Sequence, residues 1–535
     1  MERRSIWGWL ACALSGLLLV LSFAPFAWSW CGWIALTPAW SALRCCPSVQ
    51  ARPIRHGYVL GLVFIGGCFW WVGTATPFGL AVMLLVLSFY PALWFLLVVR
   101  LLKPVTESPL PFRLLLSYAC AASAFWITLE WLRSWFLTGF NWNELGVSQV
   151  PNLFLRQFAA LGGVPLLSFA LVLVGIFLAE AVLALRWPDK RRLRHIGTPF
   201  FCGGAVVAVT WAYGWFHLQR HENEPPFNSV SYVCVQPNIP EIPYASGDMS
   251  VIAPREVEAF EVQKKLSLSA IASVPDLLIW PEAITTQRLM LDPLIQESVR
   301  TIEGSFHGDF LLGAEDLDGE HLYNCAYLLD PRTASIQIYR KNFLVVLGEY
   351  LPWSDNFPAL RKWWGGIYFT AGNQPARFTL AESRASLAPF ICYEDTQPAA
   401  ANRAARLHPD FFVTLTNDGW YTGLPATWIL SQHLENARLR SVEHDRSLIR
   451  CANNGISCEI DPDGEVLDRV QDATGNSTNV PGTLSRRLFL RVPQTTFYER
   501  WGDWVGVLSR WVTLAAGIFY LSRKTRKLNS GHKEL

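Results

Sequence analysis

Three residues of different chemistry stand at the ends of short apolar runs: Glu282 after LLIWP, Lys341 after SIQIYR and Cys392 after LAPFI. A carboxylate, an ammonium and a thiol are the parts of nucleophilic acyl chemistry. A thiol with a pKa of about 8.5 is mostly protonated at neutral pH, so the nucleophile needs a base, and a developing oxyanion needs a fixed donor. Each residue alone has a plainer reading, because a buried Cys packs, a strand-end Lys is solvated and a carboxylate after Pro caps a helix. Brought to one place, Glu282 would be the base, Lys341 the oxyanion stabiliser and Cys392 the nucleophile. His217 and His221 form the one close histidine pair and lack a Cys or Asp ligand set, so no metal and no cofactor is expected.

The elements that must position these residues lie between about 228 and 495. Strand-like runs occur at 230–238, 275–282, 308–316, 325–330, 335–341, 387–395, 410–418 and 447–455, rich in β-branched and aromatic residues and ending in polar ones. Helical patterns at 252–272 and 426–444 separate several of them, which predicts an α/β domain with a largely buried sheet. Cys325 and Cys451 in this region read as packing.

The rest of the chain is different. Of 535 residues 51% are apolar and 16% charged, and positions 1–220 hold only six carboxylates, Glu2, Glu107, Glu130, Glu144, Glu180 and Asp189. The net charge of +2 gives no field that would favour nucleic acid. Apolar stretches at about 6–24, 28–43, 57–75, 79–99, 114–132, 163–185, 197–216 and 504–522 predict about eight transmembrane helices. Pro25 after Ala24 argues against cleavage of the first stretch as a signal peptide. Lys and Arg alternate between loops: Arg3 and Arg4, Arg44 to Arg55, Arg100 to Arg113, Arg186 to Arg194, and Arg523 to Lys527 mark the cytoplasmic side. Both termini are then cytoplasmic, and the water-soluble segment lies on the opposite side, the periplasm of a bacterium. Arg510 near the outer end of the last span must snorkel or pair. The expected domains are 1–220, a seven-helix transmembrane platform; 221–498, a periplasmic catalytic domain; and 499–535, the last helix with a basic tail.

WPEA at 280–283, YRKNFLVVLGEYLP at 339–352 and ICYED at 391–395 resemble the Glu-Lys-Cys triad of the nitrilase superfamily. EWLRSWFLTGFNW at 130–142, TNDGWY at 416–421, the stretch 437–457 and ERWGDW at 499–504 narrow the resemblance to the apolipoprotein N-acyltransferase family over essentially the whole chain. The implied fold is a membrane helical bundle carrying a nitrilase-like α-β-β-α sandwich. The implied activity moves an acyl chain from a phospholipid donor to the N-terminal amine of a diacylated apolipoprotein acceptor, through a thioester on Cys392, at the bacterial inner membrane. No nucleic-acid partner is implied, and a monomer is expected.

The same resemblance implies further site residues. Glu349 matches a second family glutamate that would orient Lys341 or hold the amine. Tyr393 and Glu394 would shape the pocket, and Asn324 matches an asparagine near it. Trp363, Trp364, Tyr368 and Phe369 lie among Arg361 and Lys362 in the segment 353–369, a composition suited to a lid at the headgroup interface. Trp420 and Tyr421 are a second candidate wall for acyl chains. Two departures bear on lipid preference: Tyr244 stands near the NIP motif where the family commonly has tryptophan, and Gly419 is smaller than the residue often found in TNDGWY. The alternative enzyme is a membrane-tethered carbon–nitrogen hydrolase with the same triad. A transporter is set aside because the spans show no paired intramembrane charges.

Overall fold

The computed structural model describes all residues except 1, 104–108, 137–138, 187–191, 220–224, 353–355, 358, 360–361, 363–367, 420, 422 and 532–535. They fall into two compact units, Met1–Gln219 with Trp501–Leu535, and Arg220–Arg500.

The first unit is helical. Among the described residues five helices are long and apolar enough to cross a membrane: Pro77–Leu102, Phe112–Arg133, Ala159–Ala184, Leu193–Gln219 and Trp504–Thr525. Ile6–Ser22 and Pro53–Phe69 are shorter apolar helices. The expected span at 28–43 is instead two short helices, Trp30–Ile34 and Leu36–Cys45. Pro38 explains the restart, because its missing N–H is tolerated in a first helical turn and not inside a continuous helix. The chain through Ala159–Ala184 is kinked at Gly162 and Gly163, and Gly163 has φ +67°, a conformation that glycine alone adopts at little cost.

The expectation of no paired charge among the spans is corrected by Arg44 and Glu180. Arg44 Nε donates to Glu180 Oε1 at 2.7 Å and Trp40 Nε1 donates to the same oxygen at 2.7 Å, all three side chains being buried. The pair ties helix Leu36–Cys45 to helix Ala159–Ala184. Arg510 finds a partner rather than snorkelling: it lies 3.2 Å from Asp503 and 4.5 Å over the ring of Trp131.

Among its described residues the second unit holds twelve strands in two six-stranded sheets: β1 (Asn228–Gln236), β2 (Leu277–Ile279), β3 (Asp309–Asp318), β4 (His321–Asp330), β5 (Ser335–Arg340), β6 (Phe378–Thr379), β7 (Ser386–Ile391), β8 (Phe411–Thr416), β9 (Leu448–Ala452), β10 (Cys458–Ile460), β11 (Val466–Arg469) and β12 (Gly482–Leu490). The orders are β12-β1-β2-β3-β4-β5 and β11-β10-β9-β8-β7-β6. In the first, β1, β2 and β3 are mutually parallel; in the second, β7, β8 and β9 are; the remaining pairs are antiparallel.

Strand alternation builds the layers. Val230, Tyr232, Cys234, Leu277 and Ile279 face Leu387, Ile391, Val413, Leu415 and Cys451 in the core between the sheets. The opposite-facing Val233, Val235, Leu278 and Phe310 pack under Phe260, Ile295, Val299 and Ile302 of the helices Met249–Ala270 and Pro293–Glu303. On the other side Ala388, Phe390 and Phe412 pack with Ala401, Ala404, Leu434 and Ala437 of Pro398–Ala405 and Gly423–His444. The result is the expected α-β-β-α sandwich. All eight expected runs are strands; β6, β10, β11 and β12 are additional. Cys451 donates its thiol to the carbonyls of Val235 and Ile279 in the sandwich core, a packing role.

Candidate active site

Chain direction brings three strand ends to one edge of the sandwich. Glu282 follows β2 after Trp280 and Pro281, Lys341 directly follows β5, and Cys392 directly follows β7 as the first residue of a 3₁₀ turn, Cys392–Thr396. Trp280 anchors the first of these by donating its indole N–H to Ser267 at 2.8 Å. Gly313 on β3 admits it, since a Cβ there would stand 2.6 Å from Glu282 Cα and 2.5 Å from the Pro281 carbonyl oxygen. Lys341 is pinned by its own backbone, which donates to the Asn324 carbonyl at 2.9 Å and accepts from the Gly372 N–H at 2.7 Å. Cys392 has φ +51°, a left-handed conformation that costs a non-glycine residue roughly 1 kcal/mol or more. Its side chain packs against the core between the sheets, beside Thr416 at the end of β8.

Glu282, Lys341, Glu349 and Asn324 form one hydrogen-bonded set. Lys341 Nζ donates to Glu349 Oε1 at 2.8 Å and to Glu282 Oε1 at 3.4 Å. Asn324 Nδ2 donates to Glu282 Oε1 at 2.8 Å and to Glu349 Oε1 at 3.3 Å. The backbone N–H of Asn417 fixes the second oxygen of Glu282 at 2.8 Å, and that of Val345 fixes the second oxygen of Glu349 at 2.7 Å.

Burial pushes Glu282 above the ordinary carboxyl range, Lys341 draws it back and Glu349 adds to the rise. Burial would lower Lys341, yet Glu349, Glu282 and Cys392 together outweigh it and hold the ammonium charged. Burial and then the Glu282 carboxylate push the Cys392 thiol well above its usual value, against the pull of Lys341. Cys392 is therefore held as a thiol beside a carboxylate of raised proton affinity, a combination in which a thiol that attacked would have to pass on its proton.

The other expected residues differ in what they touch. Glu394 is fully buried and acts on backbone: Oε1 accepts from Tyr339 Oη at 2.7 Å, Asn342 N at 2.7 Å and Phe343 N at 3.1 Å, and Oε2 accepts from Ile391 N at 2.9 Å. It staples the end of β5 to the end of β7, so it holds Lys341 and Cys392 in mutual register. Tyr393 is buried in the 3₁₀ turn, its carbonyl accepting from the Thr396 hydroxyl at 2.7 Å. Tyr421 is half-buried, with its phenol pushed up to about 12 by burial and then by Asp418 and Cys392. Tyr368 is half-buried and precedes Phe369, whose N–H donates to the Glu349 carbonyl at 2.9 Å. Trp363, Trp364 and Trp420 lie outside the described residues. Tyr244, at the NIP motif, donates to Glu256 at 2.9 Å and accepts from Thr286 N at 3.1 Å. No group of three or more His, Cys, Asp or Glu among the described residues could hold a metal ion.

A second polar cluster lies behind Cys392, and sequence reasoning missed it. The imidazole of His433 stands between two carboxylates, with Nε2 2.8 Å from Asp395 Oδ1 and Nδ1 3.2 Å from Asp418 Oδ1. Arg450 bonds both acids, Asp395 Oδ2 at 2.5 Å and Asp418 Oδ2 at 3.2 Å. Burial and Arg450 pull His433 down, but Asp395 and Asp418 outweigh them and raise it to about 9. The signal was legible in part: Arg450 interrupts LIRCA, an otherwise apolar strand, and a buried guanidinium requires carboxylate partners.

The sequence profile of the apolipoprotein N-acyltransferase N-terminal domain matches residues 15–177, and that of carbon–nitrogen hydrolases matches residues 304–480, a span that includes Lys341 and Cys392. An apolipoprotein N-acyltransferase of Geobacter metallireducens is 29% identical over 92% of this chain and 92% of its own. One from Allorhizobium ampelinum is 31% identical over 81% of both chains. A solved amidase of the nitrilase superfamily from Nesterenkonia aligns at 15% identity with a TM-score of 0.35, over 50% of this chain and 93% of its own. With both profiles in order along the chain and the second relative matched over four-fifths of its length, the chain belongs to the apolipoprotein N-acyltransferase family.

Proposed function

We propose that Glu282, Lys341 and Cys392 carry this family's acyl transfer in two half-reactions joined by a thioester. The observation that carries the reading is the convergence of the three strand ends, with Lys341 Nζ 3.4 Å from Glu282 and both within electrostatic reach of the Cys392 thiol. Cys392 Sγ attacks the ester carbonyl of a membrane phospholipid while its proton passes to Glu282. The Lys341 ammonium stabilises the oxyanion, a role whose loss typically costs on the order of 10²–10³ in rate. The C–O bond breaks, Glu282 returns the proton to the departing oxygen, and a lysophospholipid leaves. The N-terminal amine of a diacylglyceryl-modified apolipoprotein then attacks the thioester. Glu282 accepts the amine proton, the C–S bond breaks, and the proton passes back to the sulfur.

The alternation of Lys and Arg along the loops supports a multi-pass inner-membrane protein with cytoplasmic termini and the unit Arg220–Arg500 in the periplasm. That location gives the site its lipid donor and its lipoprotein acceptor in one compartment. The domain reading follows: a transmembrane platform, 1–220, a catalytic domain, 221–498, and a closing helix, 499–535. The segment 353–369 is the lid of this reading, with Tyr368 and Phe369 at its described end, and the enzyme acts as a monomer.

The test uses purified protein and phosphatidylethanolamine labelled in its sn-1 chain, with intact-mass analysis before and after hydroxylamine. A hydroxylamine-sensitive acyl adduct on the wild type, absent from Cys392→Ala, with release of lysophospholipid, is the expected result. Free fatty acid without any adduct would favour the carbon–nitrogen hydrolase type of chemistry, and no turnover at all would remove the phospholipid from the scheme.

A further inference from the structure

The nucleophile's backbone is held from behind by a side chain that contacts neither Glu282 nor Lys341. His433 Nε2 lies 3.3 Å from the carbonyl oxygen of Cys392, on the same side as its 2.8 Å contact with Asp395 Oδ1. This carbonyl belongs to the one residue in the 3₁₀ turn with a left-handed backbone, φ +51°. A strained conformation persists only where its surroundings over-determine it. The donor that does so is itself caged: Asp418 Oδ1 from the end of β8 lies 3.2 Å and Arg450 Nη2 from β9 lies 3.0 Å from Nδ1, Asp395 Oδ1 from the turn lies 2.8 Å from Nε2, and Arg450 binds both acids. All four side chains are buried, and they tie four elements to one another: the turn, β8, β9 and helix Gly423–His444.

We infer that His433 is a positioning residue for the acyl-transfer nucleophile: its Nε2–H holds the Cys392 carbonyl, and so fixes the turn that aims Sγ at the acyl donor. The inference rests on Cys392 being the nucleophile. Charge is also arranged to keep this donor in place. Arg450 Nη2, 3.0 Å from Nδ1, faces that nitrogen as a donor, so the ring proton that matters is the one on Nε2, beside the Cys392 carbonyl. Misplacement of a reacting atom by about 1 Å costs on the order of 10²-fold in rate, so a positioning role should appear in kcat and not in lipid affinity.

The isosteric amides separate position from bulk. In His433→Gln the amide nitrogen reaches the place of Nε2; in His433→Asn it reaches only the place of Nδ1. Full-length variants, together with His433→Leu, are assayed for lysophospholipid release from labelled phosphatidylethanolamine, for the rate of Cys392 alkylation by iodoacetamide, and for thermal midpoint. The expected result is His433→Gln within about fivefold of wild type in kcat, and His433→Asn lower by roughly 10²-fold with KM unchanged and the same thermal midpoint as the Gln variant. Alkylation should slow in the same order. Equal kcat in the Gln and Asn variants, a change confined to KM, or failure of all three to fold would overturn the inference and leave His433 a purely structural residue. Cys392→Ala serves as the separate control: if it still releases lysophospholipid, the reading of Cys392 fails, whatever the His433 variants do.

Discussion

The ammonium of Lys341 lies nearer to Glu349, at 2.8 Å, than to the proposed base Glu282, at 3.4 Å. One cation is thus shared unequally by two carboxylates, and the nearer one also accepts the Val345 N–H at 2.7 Å, which holds the loop after β5. The division leaves Glu282 less neutralised than a simple pair would, so it keeps the raised proton affinity that a general base for a thiol needs.

Glu349→Gln should therefore change the pH dependence as well as the rate. Glu349 contributes to the rise of Glu282, so its neutralisation lowers the pKa of Glu282 and moves the acidic limb of lysophospholipid release to lower pH. Lys341 turns toward Glu282, and kcat falls by about tenfold or more as both groups shift from their places. A pH–rate profile of the variant beside wild type checks the direction. An unmoved acidic limb would detach Glu349 from the base.

Glu394 gives a prediction on both stability and chemistry. Glu394→Gln puts an amide donor where at least one of four N–H or O–H donors now points, so a buried hydrogen bond to a carboxyl oxygen is replaced by a clash of donors. The expected cost is about 1–3 kcal/mol, seen as a lower thermal midpoint. Cys392 alkylation and acyl transfer should fall together, because the same contact holds the ends of β5 and β7.

His444 governs acid sensitivity. Burial, helped by Arg446 and Arg440 and opposed by Glu499, lowers it to about 4. Its ring packs edge-on to Phe412 with centroids 5.9 Å apart. Between pH of about 6.5 and about 4 the unfolded chain binds this proton and the folded chain does not, so stability rises with pH across that window and is lost as pH falls. The full effect is on the order of 3 kcal/mol. Glu315 and Glu394, both raised to about 7, slope the other way, so the readout is the difference between wild type and His444→Gln in thermal midpoint at each pH. A difference that stays flat from pH 4 to 7 would contradict a neutral buried ring.

In the helical unit, Arg44→Met strands the buried carboxylate of Glu180. Breaking one side of a buried pair typically costs 3–5 kcal/mol, roughly, while replacing both sides is often neutral. Arg44→Met should lower the detergent-phase thermal midpoint sharply, and Arg44→Met with Glu180→Gln should restore most of it, because the amide oxygen still accepts from Trp40 Nε1. No recovery in the double variant would mean that the charge pair itself is required.

Local pattern and chemistry carried much of this protein. The apolar runs of 230–238 or 410–418, with polar residues at their ends, mark strands because alternating faces must be buried on both sides of a sandwich. Glu282, Lys341 and Cys392 stood out because each closes such a run. The short strands β6 and β10 were not legible, since two or three residues carry no period. Neither was the break at Ile34 and Leu36, where Pro38 decides between one helix and two.

What the sequence by itself determined is the set of reactive groups and the strands that end in them. Tertiary structure alone decided which atoms meet. Glu349 and Asn324 converge on Lys341 and Glu282 because β4 and β5 are paired in a register that sets Cys325 against Arg340 and leaves Asn324 against Lys341. Asp395, Asp418, His433 and Arg450 come from four separate elements, and the first and last of them stand 55 positions apart. Their pairing follows from the parallel order β7-β8-β9 and the helix laid across it, a relation of distant segments that no local spacing encodes.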